Sequence, residues 1–270
     1  VVAPGTGDDS SARFAIHGLA LHAMRPGAEA ERQMLEGALI ECLAEAKDAE
    51  VKAFVLEELR RVAQNPSVAP VSALLGDERL CEPATFVLLT IRTPEATAAL
   101  AKALPQAKGK HLVTVVRALG ELRDKGSAKN ILPHASSEDA ALRQAAWFAL
   151  ANIGEPAAAE VLAKAAESKT GYERSAGTAL YLTLARRMAE AGDKDGSAKI
   201  CRALMAARTA PRESNVYCSA LATLVDASGA AALQEVLTAL ESKDLKISTA
   251  ALQLLSGMEG VDLAAQLAPK

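Results

Sequence analysis

Residues 137–168 read SEDAALRQAAWFALANIGEPAAAEVLAKAAES, and this stretch decides the fold. Leu142, Ala145, Ala149 and Ile153 fall at positions i, i+3, i+7 and i+11 of that stretch. Residues at this spacing lie on one stripe of an α-helix. The pattern therefore predicts an amphipathic helix that buries one face.

A helix stop and a second helix follow this stripe. Gly154 suits a C-terminal cap, and Pro156 suits the first turn of a new helix. Ser136 followed by Asp139 predicts a capping-box start for the first helix. The apolar positions of the second helix are Val161, Leu162, Ala165 and Ala166. One unit is therefore predicted to be a helical hairpin.

The same hairpin recurs along the chain at a nearly constant interval. With Leu150 as the anchor, the equivalent leucines are Leu19, Leu59, Leu88, Leu119, Leu180, Leu221 and Leu252. Successive anchors are 40, 29, 31, 31, 30, 41 and 31 residues apart, with a tolerance of about one or two residues in the weaker units. A helix breaker follows most anchors: Pro26, Pro66, Pro94, Gly126, Pro156, Gly229 and Gly260. Two independent signals that share one period predict a repeat architecture.

The predicted fold is all-α, a right-handed α-solenoid (superhelix) of about eight hairpins. The chain is expected to form one repeat domain over residues 1–270. The predicted hairpins cover approximately residues 8–47, 48–76, 77–107, 108–135, 136–168, 169–208, 209–241 and 242–270. The two long intervals predict a long second helix near residues 28–46 and a long first helix near residues 172–191.

Composition agrees with packed helices and excludes several classes of protein. Half of the residues are hydrophobic, with 59 Ala and 36 Leu, but only 3% are aromatic. A β-sandwich or barrel would need more β-branched and aromatic residues. The formal net charge is −3, which argues against a general nucleic-acid binder. Because no uninterrupted run of 18 apolar residues occurs, no membrane span is expected.

The clearest unit resembles the HEAT-like repeats of the phycobilisome-lyase type. The resemblance rests on Leu142-Arg143-Gln144-Ala145-Ala146, then Ala149-Leu150, then Ile153-Gly154-Glu155-Pro156, within a unit of about 31 residues. It is good in the fifth unit, fair in the second and fourth, and loose in the first and sixth. The resemblance implies a curved scaffold, with first helices on the convex side and second helices lining a concave binding surface.

The opening segment resembles the start of HEAT-repeat regions in large exported proteins of planctomycete- and verrucomicrobia-type bacteria. The matching residues are Pro4-Gly5-Thr6-Gly7-Asp8-Asp9, Ala12-Arg13, His17-Gly18-Leu19-Ala20 and Arg25-Pro26-Gly27. This resemblance implies an exported or periplasmic bacterial protein in which the repeats adjoin another domain. A cytoplasmic location stays the alternative.

Charged side chains give the candidate partner-binding residues. Between Lys102 and Lys129 lie seven basic and two acidic groups, a net charge of +5, which can steer an acidic partner. From this stretch we select Lys102, Lys108, Lys110, Lys125 and Lys129, and from the fifth hairpin Glu160 and Lys164. The long sixth hairpin adds Tyr172, Arg174, Arg186 and Arg187.

The predicted function is a non-enzymatic scaffold that binds a partner protein, or an adjoining domain of the same polypeptide, along the concave face. No cofactor or catalytic residue is expected, since the sequence has no GxSxG and no phosphate-binding loop after a strand. Three alternatives stay open: a HEAT-like nucleic-acid glycosylase, an enzyme of the bilin-lyase type, and a structural spacer or oligomerisation segment.

The cysteines and histidines form no metal motif. Cys42, Cys81, Cys201 and Cys218 include no CxxC pair, and the four histidines include no HxxxH or HExxH pair. Metal binding needs donors that converge on one face. Free thiols are expected, with a Cys201–Cys218 disulfide as the less favoured alternative. Trp147 is expected to pack in the core or between repeats.

Overall fold

The computed structural model describes residues 1–258, and every regular element in that part of the chain is helical. The fold is therefore all-α, as the composition and the helical periodicity predict. Residues 259–270, which include the predicted breaker Gly260 and the end of the predicted eighth hairpin, lie outside the described residues.

The chain divides into two compact units, with a boundary between Ala149 and Leu150. The α-helices of the first unit are α1 (Ser10–Ala23), α2 (Glu29–Glu45), α3 (Ala49–Val62), α4 (Val68–Ser72), α5 (Cys81–Ile91), α6 (Pro94–Ala103), α7 (Gly109–Glu121), α8 (Ala128–Ile131) and most of α9 (Ala140–Ile153). Those of the second unit are α10 (Ala159–Ala166), α11 (Gly171–Glu190), α12 (Lys194–Ala207), α13 (Ser214–Ser228), α14 (Leu233–Leu240) and α15 (Leu245–Gly257). Short 3-10 turns precede or extend several of these helices, at Asn65–Ser67, Leu104–Gln106, Lys125–Ser127, Leu132–Ser136, Pro156–Ala158, Pro211–Glu213 and Gly229–Ala232.

Each unit is a stack of helical hairpins. In the first unit, α1 packs on α3, α3 on α5 and α5 on α7, while α2 packs on α4 and α4 on α6. In the second unit, α11 packs on α13 and α13 on α15, with α12 and α14 completing the hairpins. First helices thus follow first helices, because one hairpin alone cannot cover its apolar face. This packing is an α-solenoid, as predicted; the handedness, the convex and concave sides and the single domain stay predictions.

The long helices and most leucine anchors agree with the sequence pattern. Helices α2 and α11 match the long second helix of the first hairpin and the long first helix of the sixth. The anchors Leu59, Leu88, Leu119, Leu150 and Leu221 are all completely buried. A fully buried leucine contributes about 1.5–3 kcal/mol relative to an exposed one. The repeated leucine therefore forms the core in these five units.

Three leucine anchors were wrongly assigned to the core. Leu19 and Leu252 are each 55% exposed, while their neighbours Ala20 and Ala251 are completely buried. Leu180 is half-buried, and the neighbouring turn of α11 buries Leu184 instead. The reason is that α1, α11 and α15 carry apolar side chains on more than one face, so a leucine does not identify the face that packs.

Acidic and hydroxyl side chains cap the N-termini of several helices. Asp48, Thr93 and Asp244 accept hydrogen bonds from backbone N–H groups in the first turns of α3, α6 and α15. These bonds satisfy donors that have no partner inside the helix. The predicted capping box at Ser136 is wrong: Asp139 itself accepts from the N–H groups of Ala141 at 2.8 Å and Leu142 at 3.3 Å.

A polar pair on α2 joins the first hairpin to the second. Arg32 donates to the carbonyls of Val62 and Ala63 at the end of α3, at 2.8 and 3.0 Å. Glu36, one helical turn later and buried, accepts from the Gln64 N–H and the Ser67 hydroxyl, both at 2.6 Å. The Arg32 guanidinium lies at the C-terminal end of α3, which is the negative end of the helix dipole. The Glu36 carboxylate accepts from the two donors that follow α3 in the chain.

Candidate functional site

An open groove of about 790 Å³ lies between α4 and α6, the second helices of the second and third hairpins. Its apolar lining comes mostly from small side chains: Val68, Ala69, Ala73, Leu75, Gly76, Ala98, Ala99, Ala103 and Ala107. Small residues on both helices leave the floor wide and shallow. Ligand sites are typically concave and mostly apolar with a few polar groups, and this groove has that character.

The polar lining of the groove contains two lysines and one carboxylate beside neutral groups: Ser72, Glu95, Lys102, Gln106, Lys108 and His111. Lys102, in the last turn of α6, and Lys108, just before α7, are both exposed and line the groove with His111. His111 Nε2 lies 3.2 Å from the Glu78 carbonyl. Glu95 supplies the one carboxylate of the lining. Within residues 1–258, neither lysine takes part in a salt bridge, so both ammonium groups are available to a carboxylate of a partner.

The other basic candidates of the first unit are exposed but do not line the groove. Lys110 lies in the first turn of α7, Lys125 begins a 3-10 turn, and Lys129 lies on α8. The structure therefore brings Lys102 and Lys108 together and leaves these three outside that cavity.

Glu160 and Lys164, the candidates of α10, are bonded to each other. Their Nζ and Oε1 atoms are 2.6 Å apart on an exposed helix face. The ammonium group lowers the pKa of the Glu160 carboxyl. Water and salt screen this exposed pair, so it adds little to stability, and its two opposite charges offset each other for a partner.

Arg174 lines a cavity of about 370 Å³ between α11 and α13. Its Nη2 donates to Glu213 Oε1 at 2.5 Å, and this bond lowers the pKa of the Glu213 carboxyl. The buried Arg208 approaches the same oxygen at 3.6 Å and also donates to the Ala166 carbonyl. Arg212 completes the basic lining. The network ties the loop before α13 to α10 and α11.

The remaining candidates of the sixth hairpin differ in exposure. Tyr172 is 70% exposed in the first turn of α11. Arg186 is exposed, whereas the Arg187 side chain is 23% exposed and donates to Glu190 at 2.7 Å. Its Cβ lies against Gly154. Arg187 is therefore mainly a packing residue and not the exposed-face residue that the sequence suggested.

The cysteines are free thiols, and the Cys201–Cys218 disulfide is not formed. Cys81 and Cys201 are buried, Cys218 is partly buried and Cys42 is exposed. Burial raises the pKa of the Cys201 thiol to about 11, which keeps it protonated and unreactive at neutral pH. Residues 1–258 contain no group of three His, Cys, Asp or Glu side chains that could hold a metal ion.

Two polar residues singled out in the sequence have structural partners. His17 Nδ1 lies 3.1 Å from Glu58 Oε1, and the Glu58 carboxyl is buried. Trp147 is buried, and its Nε1 donates to the Ala135 carbonyl at 2.8 Å. Both therefore join neighbouring helices, and Trp147 is the core residue that the sequence predicts.

Sequence reasoning missed the floor of the groove and the buried Arg208. The floor is built from alanines about 30 residues apart, such as Ala69 and Ala99. The sequence of one alanine-rich second helix does not indicate that a groove will form between it and the next second helix. The period of about 31 residues was the available signal, since it places equivalent alanines of successive units side by side.

One apolar segment has the length and composition of a membrane span. Pro211–Leu240 has a mean hydropathy of 1.4 over its most apolar window. Buried helices of other proteins reach the same hydropathy, so this is weak evidence for a span. The backbone turns at Gly229, with φ of 56°, and divides the segment into α13 and α14.

Comparison with known proteins identifies the repeat. A family model for HEAT repeats matches residues 97–183, and no curated protein sequence matches the chain. One engineered protein of known crystal structure has a TM-score of 0.49 and 18% identity, with 93% of this chain and 75% of that chain covered. A second engineered protein has a TM-score of 0.37 and 18% identity, covering 90% and 95% of the two chains.

Human deoxyhypusine hydroxylase in complex with glycerol gives a TM-score of 0.38 and 14% identity, with 86% of this chain and 98% of that chain covered. None of these structural scores reaches the level at which function could be transferred. The stacked hairpins, the period of about 31 residues and the match at residues 97–183 agree with one another. The chain therefore contains HEAT-like repeats over residues 97–183, within stacks of helical hairpins.

Proposed function

We propose that this protein is a non-enzymatic scaffold and that the groove between α4 and α6 binds an acidic segment of a partner protein. The observation that carries the proposal is the groove itself, with an apolar floor and with Lys102 and Lys108 beside it. HEAT repeats commonly mediate protein interactions, and this groove lies on second helices, where the resemblance to HEAT-like repeats implies a binding surface.

The chemistry of the groove defines the segment that it would hold. The shallow alanine floor accepts aliphatic side chains, which gain about 25 cal/mol for each Å² of apolar surface removed from water. The two lysines attract Asp or Glu on either side of that apolar anchor. Because stacked repeats hold their side chains at fixed positions, little conformational entropy is lost on binding, and this favours affinity. A partner segment with acidic residues beside two or three aliphatic residues fits these features.

Peptide selection on the full chain tests this proposal without the need for a candidate partner. A library of random peptides displayed on phage is selected on the wild-type protein and counter-selected on Ala99→Trp, which fills the floor of the groove. We expect the surviving peptides to combine Asp or Glu with aliphatic residues. Their binding should weaken at least about tenfold in Lys102→Glu and should also weaken with added salt.

Lys129→Glu is the matched control, since it reverses an exposed charge in the same unit outside the groove. Circular dichroism confirms that each variant is folded. Peptides that bind Ala99→Trp and Lys102→Glu as well as the wild type would exclude the groove as the binding site. If the variants lose binding as expected, a photo-crosslinking residue at Ala98 can capture the natural partner.

A further inference from the structure

The cavity of about 370 Å³ between α11 and α13 lies within the second unit and is lined by arginines from three segments. Arg174 lies near the start of α11, Arg208 follows α12, and Arg212 lies in the turn before α13. Glu213 is the acidic residue of the lining. Among the described residues, three positive charges and one negative charge therefore line the cavity, a net charge of +2. Such a cavity favours an anionic ligand.

Arg208 is the buried cation of this cavity, since its side chain is only 4% exposed and yet lines it. Its Nη2 donates to the Ala166 carbonyl and to Thr178 Oγ1, and its Nε lies 3.6 Å from Glu213 Oε1. Within residues 1–258 its Nη1 has no hydrogen-bond partner. A buried charge is stabilised when its donors have acceptors. An anion in the cavity would supply the acceptor that Nη1 lacks.

Further donors of the lining are available to the same anion. Arg212 is exposed and makes no hydrogen bond or salt bridge in the part of the chain that the structure describes. Arg174 is positioned by its bond from Nη2 to Glu213 Oε1 at 2.5 Å. Neutral donors on both helices are Ser175, Asn215 and Ser219. Guanidinium forks together with hydroxyl groups are the donors that recognise phosphate oxygens.

We propose that this cavity binds the phosphate group of a phosphate monoester. That group carries a charge of about −1.5 to −2 at neutral pH and has three acceptor oxygens. Its charge balances the +2 of the lining, whereas a carboxylate would leave one positive charge without a partner. The apolar part of the lining can contact the carbon chain of the ester, and it consists of Ala179, Leu182 and Val216.

The size of the cavity is compatible with this ligand. Its volume lies near the lower end of the range for small-ligand sites, which is about 300–1,000 Å³. A phosphorylated side chain of a partner segment and a small phosphorylated metabolite share the chemistry that the lining recognises. The proposal does not depend on the groove between α4 and α6.

Isothermal titration calorimetry of the full chain at low salt tests the proposal. The probes are glycerol 3-phosphate and a short peptide with a central phosphoserine, and the comparison is the same peptide with Glu at that place. We expect at least one phosphate probe to bind with a Kd below about 1 mM and at least about tenfold more tightly than the Glu peptide. Tighter binding of the phosphopeptide would assign the ligand to a partner segment. Tighter binding of glycerol 3-phosphate would assign it to a metabolite.

Two substitutions with opposite expected effects locate the binding. Arg212→Gln removes an exposed charge from the lining and should weaken binding at least about tenfold. Glu213→Gln removes the negative charge, keeps an oxygen that can accept from Arg174, and should strengthen binding about threefold or more. Arg186→Gln is the matched control, because it removes an exposed charge from α11 outside the cavity, and it should bind as the wild type does.

Circular dichroism confirms that each variant is folded. A Kd above about 1 mM for both phosphate probes overturns the proposal, and so does a Glu peptide that binds as tightly as they do. Binding that Arg212→Gln leaves unchanged overturns it as well. If a folded Glu213→Gln variant binds phosphate more weakly than the wild type, the arginines serve packing alone and the proposal is wrong.

Discussion

At the scale of single residues, glycine allows the closest helix contacts in this protein. A Cβ at Gly120 on α7 would lie 2.4 Å from Ala149 Cα on α9, and one at Gly177 on α11 would lie 2.5 Å from the carbonyl carbon of Ala165 on α10. The neighbouring atoms are backbone in both cases and cannot move aside without shifting a helix. These two glycines therefore set the spacing of neighbouring helices within their units.

Gly120→Ala is expected to destabilise the protein by about 1–3 kcal/mol, because an added methyl group overpacks a rigid contact. Gly37→Ala is the control, since it lies in α2 with nothing within 4 Å of its Cβ position. Helix propensity predicts that this control gains up to about 1 kcal/mol. Urea unfolding measures both free energies. Equal effects of the two substitutions would contradict a close contact at Gly120.

Ionisation of the buried Cys201 thiol is expected to lower the stability of the fold at alkaline pH. Burial raises the pKa of its thiol from 9.0 to about 11, so the folded state favours the neutral form. The stability that the neutral, buried thiol contributes is fully present below the ordinary pKa of 9.0, and it is lost as the pH rises from 9.0 toward about 11. As the pH rises from about 8 to about 10.5, the free energy of unfolding should therefore fall less in Cys201→Ala than in the wild type.

Thermal unfolding at a series of pH values measures this difference. The smaller side chain of Cys201→Ala is expected to lower the stability by the same amount at every pH. Only the slope of stability against pH therefore reports on ionisation of the thiol. Cys42→Ala, at an exposed position, should keep the wild-type slope. Parallel curves for the wild type and Cys201→Ala would show that the buried thiol does not titrate in this range.

At the scale of helices, capping side chains decide where the hairpins turn. Asp48 before α3, Thr93 before α6 and Asp193 before α12 all accept from backbone N–H groups of the first turn. Glu155 does the same for the 3-10 turn that leads into α10. A side-chain acceptor before each of these helices satisfies backbone N–H groups of its first turn, which have no partner inside the helix. The repeat therefore depends on polar positions as well as on leucines.

Asp139→Ala tests this at α9. Loss of the two N–H bonds that Asp139 accepts should cost about 1 kcal/mol. Ser136→Ala is the control, because Asp139 and not Ser136 caps the first turn of α9, despite the capping box that the sequence suggested. Urea unfolding of both variants measures the difference. A larger loss for Ser136→Ala than for Asp139→Ala would contradict the observed cap.

At the scale of the whole molecule, stability in a repeat stack comes from contacts between nearest neighbours. Within the first unit, α5 packs against α3 on one side and α7 on the other, while α1 has α3 alone as its neighbouring first helix. Stability is therefore expected to be lowest at the first hairpin.

Native-state hydrogen exchange of the full chain tests that gradient. Amides of α1 should exchange through openings of lower free energy than amides of α5 and α7, and added urea should open α1 first. Equal opening free energies in α1 and α5 would indicate instead that the first unit unfolds as one cooperative block.

The sequence by itself determined the helical class, the hairpin unit and the repeat, because these depend on short-range order. Spacings such as Leu142 to Ala145, and breakers such as Gly154 and Pro156, act within a few residues of the chain. The burial of Leu59, Leu88, Leu119, Leu150 and Leu221 follows from that order. The same reasoning failed at Leu19, because α1 is apolar on nearly every face and its buried side depends on α3.

The tertiary structure alone decided which side chains meet across neighbouring hairpins. Lys102 and Lys108 line one groove while Lys125 and Lys129 lie outside it, although all four belong to one basic stretch. Such contacts depend on the register of one helix against the next and on the space that small residues leave. Those quantities arise only when the hairpins pack, since no local pattern specifies them.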